Sequence, residues 1–187
     1  MLQWRHMADL QQFPAKKCYT AAAFLIVDKK ILFIKHKKLG IWFAPGGHLE
    51  PNELPHHAAE RECFEESGVK VRAIDLFFKN NKPYYDSPLA EYLPSPFLTN
   101  LHWVSQDNYQ ARLKDPTGYQ PIAPWKKGCE QHLGYTYLVE PIDSLELIHN
   151  EKETDGIGWF TPKQVQTLET TDDIRFEVKH AFQLLGL

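Results

Sequence analysis

The sequence predicts an α/β domain built on a mixed sheet, and three observations carry that expectation. Apolar or alternating runs of strand length stand on both sides of one acidic helical segment. That segment, Pro55–Ser67, has a proline in its first turn and Gly68 just past its end. The chain closes on an amphipathic stretch, Asp173–Leu185, whose Ile174, Val178, Ala181 and Leu185 share one stripe. At 187 residues the chain is long enough to bury a sizeable core. The expected organisation is one domain over residues 1–187, with 1–17 as an N-terminal extension and 80–131 as a long insertion or loop region.

Taken in order, Met1–Lys17 places Trp4, Met7, Leu10 and Phe13 at helical intervals ahead of Pro14, which predicts a short helix packed on the domain. Tyr19–Val27 is a continuous apolar run of strand length, Asp28-Lys29 can turn the chain, and Ile31–Lys35 returns as the second strand of a hairpin. His36, Lys37 and Lys38 read as a solvated basic loop, with attraction of a phosphorylated ligand as the alternative. Trp42–Gly47 (WFAPGG) leads into the acidic segment. Val69–Lys79 begins with alternation, ends apolar and reads as a strand. Residues 80–131 hold seven of the thirteen prolines, which break any regular period, and many aromatic rings: Tyr84, Tyr85, Tyr92, Phe97, Trp103, Tyr109, Tyr119 and Trp125. Within them Phe97–Val104 reads as a strand and Ser105–Lys127 as a long ordered loop. Loops of that length are often functional, so a wall or lid over a substrate stands beside rings that simply pin the loop to the core. His132–Glu140 alternates as a strand. Glu151–Gly158 reads as an acidic loop before Trp159-Phe160, Pro162–Leu168 as a short helix, and the amphipathic stripe ends the chain.

A formal charge of −3 carries no basic excess and argues against a dedicated nucleic-acid binder. The three cysteines, Cys18, Cys63 and Cys129, are far apart and odd in number, which points to a reducing compartment and away from a zinc site. No stretch has the length and apolarity of a membrane span or signal peptide, so the expectation is a cytoplasmic protein, monomer or homodimer, without a membrane partner.

The chemistry concentrates in Gly47–Val69, GHLEPNELPHHAAERECFEESGV. On a helix, Glu62, Glu65 and Glu66 stand at i, i+3 and i+4 and share a face. Three carboxylates there repel one another unless a cation sits among them. Oxygen donors favour a hard ion, Mg²⁺ or Mn²⁺. Arg61 points away from that face and can reach back to Glu53 in the preceding loop. Gly46 and Gly47 permit a tight turn and a close approach of backbone to ligand. His48, His56 and His57 lie nearby and receive no role.

This stretch resembles the signature of the Nudix hydrolases, G-x5-E-x7-R-E-U-x-E-E-x-G-U, where U is a bulky aliphatic residue. Every fixed position is met. The one departure is Cys63 at the first U position, where a small hydrophobe replaces a larger one and no ligand is lost. The WFAPGG run is similar to the strand that feeds this box. The resemblance implies the Nudix fold, an α/β/α sandwich over nearly the whole chain, and hydrolysis of a nucleoside diphosphate linked to another moiety, with Mg²⁺ or Mn²⁺ as cofactor. It implies Glu62 and Glu66 as direct metal ligands, and Glu65 as a ligand, a water-bridged ligand or a base. It also implies an acidic residue in the loop before a Trp-bearing strand as general base or added ligand; Glu153 matches that placement, with Glu151 and Asp155 as competitors. Arg61 and Glu53 would hold the scaffold, and the backbone at Gly46 and Gly47 would approach metal or phosphates. Pro83–Tyr85 mixes features of two substrate subfamilies and selects neither. Four readings remain: a metal-dependent pyrophosphohydrolase on a small nucleotide derivative; a non-catalytic module binding nucleotide or protein, whose usual sign is a broken box; RNA 5′-end processing, which should add a basic surface; and isopentenyl diphosphate isomerase, whose cysteine-centred site is not apparent.

Overall fold

The computed structural model describes residues 15–77, 88–115 and 128–187. Its centre is β1 (Lys17–Val27), an apolar strand that must be covered on both faces. β1 runs parallel to β7 (Gln131–Pro141), from Lys17↔Gln131 to Leu25↔Val139. Its other edge is shared by two antiparallel partners. The early half takes β4 (Gly46–His48) at Thr20↔His48 to Ala22↔Gly46, and the end takes β2 (Lys30–His36) through a turn whose Asp28 and Lys29 have φ of 48° and 59°. β7 in turn carries β5 (Val71–Ala73) and β6 (Leu98–Trp103), while β2 carries β3 (Trp42–Phe43) and β8 (Thr154–Phe160), all antiparallel. One parallel pair among antiparallel neighbours makes the sheet mixed.

The pleat sorts the core into two layers. Ala21, Ala23 and Leu25 of β1 and Leu32 of β2 pack against Ala58, Ala59 and Cys63 of α1 (Pro55–Ser67). Small residues on both sides let that helix lie close to the strands. Phe24, Ile31 and Phe33 point the other way, onto Val178, Ala181 and Phe182 of a C-terminal helix, Asp172–Leu184, and Val165 of the single-turn helix Pro162–Val165. The result is an α/β/α sandwich. α1 ends where the spacing predicts: Gly68 adopts φ 75° and its N–H donates to the Phe64 carbonyl at 2.8 Å. A side chain at Gly68 would also run into Ile148.

Several expectations are corrected. The strand expected over Val69–Lys79 is only Val71–Ala73, after which Asp75 turns the chain by accepting from the Phe77 and Ser95 N–H groups. Ser105–Lys127 does not read through as a loop: α2 spans Gln106–Lys114, with Ser105 accepting from the Asn108 N–H as its cap. Residues 116–127 lie outside the described residues, as do Pro83–Tyr85 and the rings Tyr119 and Trp125. The run feeding α1 is two short strands, β3 and β4, separated at Ala44-Pro45. The acidic loop ends at Glu153, and Asp155–Gly158 belong to β8. The short helix after it, numbered α3 here, stops at Val165, and the C-terminal helix is then α4. The proposed N-terminal helix falls on residues 1–14, outside the described residues, and Lys17 opens β1. No helix among the described residues is long and apolar enough to cross a membrane.

Candidate active site

α1 presents Glu62, Glu65 and Glu66 along the edge it shares with β4. Glu66 is 3% exposed, and the Gly46 N–H donates to its Oε2 at 2.9 Å. Burial, opposed by that bond and reinforced by Glu62, Glu153 and Glu65, pushes its carboxyl up to about 8. Burial also raises Glu62, and it outweighs the ion pair that Glu62 makes with Arg61. Buried carboxylates crowded on one face favour a cation among them. The donor set, oxygens alone, fits a hard divalent ion.

Arg61 does not point away from this face as expected. Its Nε and Nη2 donate to the two oxygens of Glu53 at 2.8 and 3.0 Å, a bidentate pair. Its Nη1 turns back onto Glu62 Oε1 at 2.8 Å and Glu65 Oε2 at 3.1 Å, and Nη2 also donates to the His48 carbonyl at 3.0 Å. One guanidinium thus braces the preceding loop and aligns two carboxylates, because its flat fork offers donors in more than one direction. The Arg61 bonds hold Glu53 below the usual carboxylate range. Gly47 leaves room for Glu62: a Cβ on it would overlap the Glu62 carboxylate, which would have to move.

The loop from Asn150 brings Glu153 near the same face, where its carboxylate raises both Glu62 and Glu66. Asn150 ties the loop down by donating from Nδ2 to the Glu65 carbonyl at 3.2 Å. Glu153 itself is exposed, and its carbonyl accepts from the Lys37 N–H at 3.0 Å. The basic trio divides. Lys37 Nζ donates to the Glu151 carbonyl at 3.0 Å, while His36 stacks on Phe43 at 5.6 Å and turns toward a cavity.

That cavity, about 630 Å³, lies between β1, β4, β6, β7 and the start of α4, and Gly46 and Gly47 form part of its wall. Its polar side chains include Asn100, Asp173 and Glu177, which sequence reasoning missed. Asn100 Nδ2 donates to Glu177 Oε1 at 2.7 Å. The Asn100 carbonyl oxygen faces His102 Nδ1 at 3.2 Å, extending the polar group from Glu177 to His102. Burial, with Asp173 nearby, pushes Glu177 up to about 7 against the Asn100 bond. One sequence signal was available: Glu177 occupies the apolar stripe of α4, between Ile174 and Val178, where a solvated carboxylate does not belong. His56 is buried against His57 and Tyr137 and faces the core, whereas His48 is exposed at the cavity rim.

Comparison with known proteins follows the same lines. The NUDIX domain family matches residues 16–182. A Bacillus subtilis protein named putative 8-oxo-dGTP diphosphatase is 43% identical over 56 residues, 28% of this chain and 38% of that protein. The human diphosphoinositol polyphosphate phosphohydrolase 3-alpha is 47% identical over 59 residues, 30% of this chain and 36% of its own length. These two matches therefore cover well under two thirds of either relative. A solved hydrolase of the NUDIX family from Clostridium perfringens superposes with a TM-score of 0.64 at 24% identity, over 89% of this chain and 97% of that one.

Proposed function

The chain belongs to the NUDIX hydrolase family, and on that premise we propose that it is a divalent-metal-dependent pyrophosphohydrolase of small nucleotide derivatives. The bond cleaved is a phosphoanhydride in a nucleoside diphosphate linked to another moiety. The observation that carries this reading is Glu66: a buried carboxyl crowded by Glu62, Glu65 and Glu153 and raised to about 8, a state that a cation relieves. Glu62 and Glu66 are the direct ligands, and Glu65 completes the cluster as a further ligand or base. Glu153, on its tethered loop, is the general base or an additional ligand. Mg²⁺ or Mn²⁺ bound there supplies charge neutralisation for the diphosphate and a more acidic water. Glu53 and Arg61 fix the geometry, and the Gly46-Gly47 backbone admits the phosphates.

The cavity favours a nucleoside over an inositol polyphosphate as the rest of the substrate. Among its described lining residues there is no Lys or Arg, and burial lowers His36, His48, His102 and His132 toward the neutral ring. A ligand with a phosphate on many carbons needs cations on those walls. Asn100, Glu177 and Asp173 offer donors and acceptors suited to the edge of a base, and Phe43 and Trp103 add apolar wall. The free thiols suit a cytoplasmic location.

A phosphate-release screen with Mg²⁺ or Mn²⁺ tests this. The panel holds nucleoside triphosphates, nucleotide sugars, ADP-ribose, dinucleoside polyphosphates, diphosphoinositol polyphosphate and capped RNA, each with Glu66→Gln alongside. One substrate turned over by the native chain and lost by at least about 100-fold in the variant is expected. Turnover that survives Glu66→Gln overturns the metal assignment; silence across the panel points to a substrate outside it or to the non-catalytic binding module.

A further inference from the structure

Spacing along the chain separates the cysteines, but folding brings two of them together. The parallel register of β1 and β7 sets Cys18 beside His132, and the pairing of β1 with β4 sets Thr20 beside His48. Cys129 stands two residues before β7, where the backbone is locked to β1. The Glu130 and Gln131 N–H groups both donate to the Lys16 carbonyl, at 2.8 and 3.1 Å, and the Lys16 N–H returns to Glu130 Oε2 at 2.9 Å. A buried ion pair from Arg112 of α2 to Glu130, at 2.7 Å, holds the same corner.

One donor atom each from Cys18, His48 and Cys129 lies within 4.8 Å of the others. His48 Nε2 and His132 Nε2 each approach Cys129 Sγ at 3.2 Å. The two imidazoles meet edge to face, with centroids 4.9 Å apart. Hydrogen bonding does not account well for this convergence. A thiol is a weak donor and a weak acceptor, so hydrogen bonds from Cys129 to two ring nitrogens and a second thiol offer little return for gathering them. A tetrahedral zinc ion with sulfur at about 2.3 Å and nitrogen at about 2.0 Å places neighbouring S and N donors about 3.5 Å apart, a few tenths of an ångström from the spacing observed.

We propose that Cys18, Cys129 and His48 form a site for one thiophilic divalent ion of the zinc class, separate from the carboxylate cluster on α1, with His132, which faces Cys129, moving in as the fourth donor. With His132 as the fourth donor no position would be left open, so the ion would be structural, tying the starts of β1 and β7 to β4 at the cavity rim. Metal must displace the thiol protons on binding. Cys18 is half-buried and His48 exposed, which leaves a path for loading from solvent.

The test uses the full chain under reducing conditions with Co²⁺ as a spectroscopic probe, followed by Zn²⁺ competition and metal analysis. The expected result is a thiolate-to-cobalt charge-transfer band that saturates at one ion per chain and is abolished by Zn²⁺. Excess Mg²⁺ leaves it in place, and Glu66→Gln keeps it. Cys18→Ser and Cys129→Ser should lose the band. His48→Ala, a change at an exposed position that spares the core, should weaken cobalt binding at least about tenfold. No band, a band unchanged in the cysteine variants, or a band displaced by Mg²⁺ overturns the proposal. So does isolation of the chain as a Cys18–Cys129 disulfide that binds no cobalt after reduction.

Discussion

The two ends of β4 present two kinds of site. At one end, Gly46 and Gly47 meet the Glu62, Glu65 and Glu66 face of α1. At the other, His48 meets Cys129 and His132. The first is written in consecutive residues, and one helix fixes its spacing. The second is assembled from β1, β4 and the start of β7, with partners up to 114 positions apart between Cys18 and His132 (132 minus 18). Hard oxygen donors that repel gather at one end, and soft sulfur and nitrogen donors at the other. One strand of three residues therefore borders both proposed metal sites, whose donors differ in metal preference.

The largest effect expected from breaking the first site comes from Arg61→Ala. It strands Glu53 and Glu62, which are 13% and 14% exposed, without their cation. The loss should be about 3 kcal/mol, read as a lowered denaturant midpoint, while the half-exposed Glu65 pair adds little. Arg61→Lys should recover only a minor part, because an ammonium cannot make the bidentate contact with Glu53 and also span Glu62. Recovery by lysine to the native midpoint would show that charge alone, and not the fork, holds the loop.

Gly47→Ala separates space from charge at the same end. Its Cβ would displace the Glu62 carboxylate while leaving the core untouched. Turnover should fall about 10- to 100-fold with the thermal melt little changed. A parallel loss of folding would mean that β4, not Glu62, absorbs the clash.

How much could be read beforehand follows from the same contrast. The helix over Pro55–Ser67, its glycine stop and its acidic face were legible because a helix converts short spacing directly into shared direction. The hairpin of β1 and β2 was legible because an apolar run, a two-residue turn and a second run are adjacent. The pairing of Glu53 with Arg61 was legible as well, but the turn of Arg61 onto Glu62 was not, since residue direction says nothing of where a long flexible side chain ends. The Asn100, Glu177 and His102 group and the Cys18, Cys129 pair depend on strand order and register, which no local spacing states. α2 was hidden for a different reason. Ser105 as a cap, Asp107 in the first turn and Arg112 and Lys114 in the last are ordinary helix signals, overlooked amid flanking prolines.

The cavity between the two ends gives a pH-dependent prediction. Glu177, pushed up to about 7 from an ordinary 4.5, binds its proton more tightly folded than unfolded. Its stabilising effect is therefore complete below about pH 4.5, declines as pH rises, and is gone once pH passes about 7. The full span is on the order of 3 kcal/mol, from about 1.36 kcal/mol for each of roughly 2.5 pH units. Glu177→Gln should flatten that decline and melt higher than the native chain at pH 8, while the two converge near pH 5. Parallel melting curves at both pH values would mean that Glu177 is solvated, and that the cavity floor is wetter than its packing implies.

The smallest effect probes whether the soft end is held from outside. Ser105 caps α2, and α2 delivers Arg112 to Glu130 beside Cys129. Ser105→Ala removes one capping bond and should cost about 1 kcal/mol. If α2 acts as a brace, the variant should also bind Co²⁺ more weakly than the native chain, although Ser105 is no ligand. Because the carboxylate face of α1 shares none of these bonds, Mg²⁺-supported turnover should stay as it was. A fall in turnover equal to the fall in cobalt affinity would show that the two ends of β4 move together, and that the strand transmits strain between them.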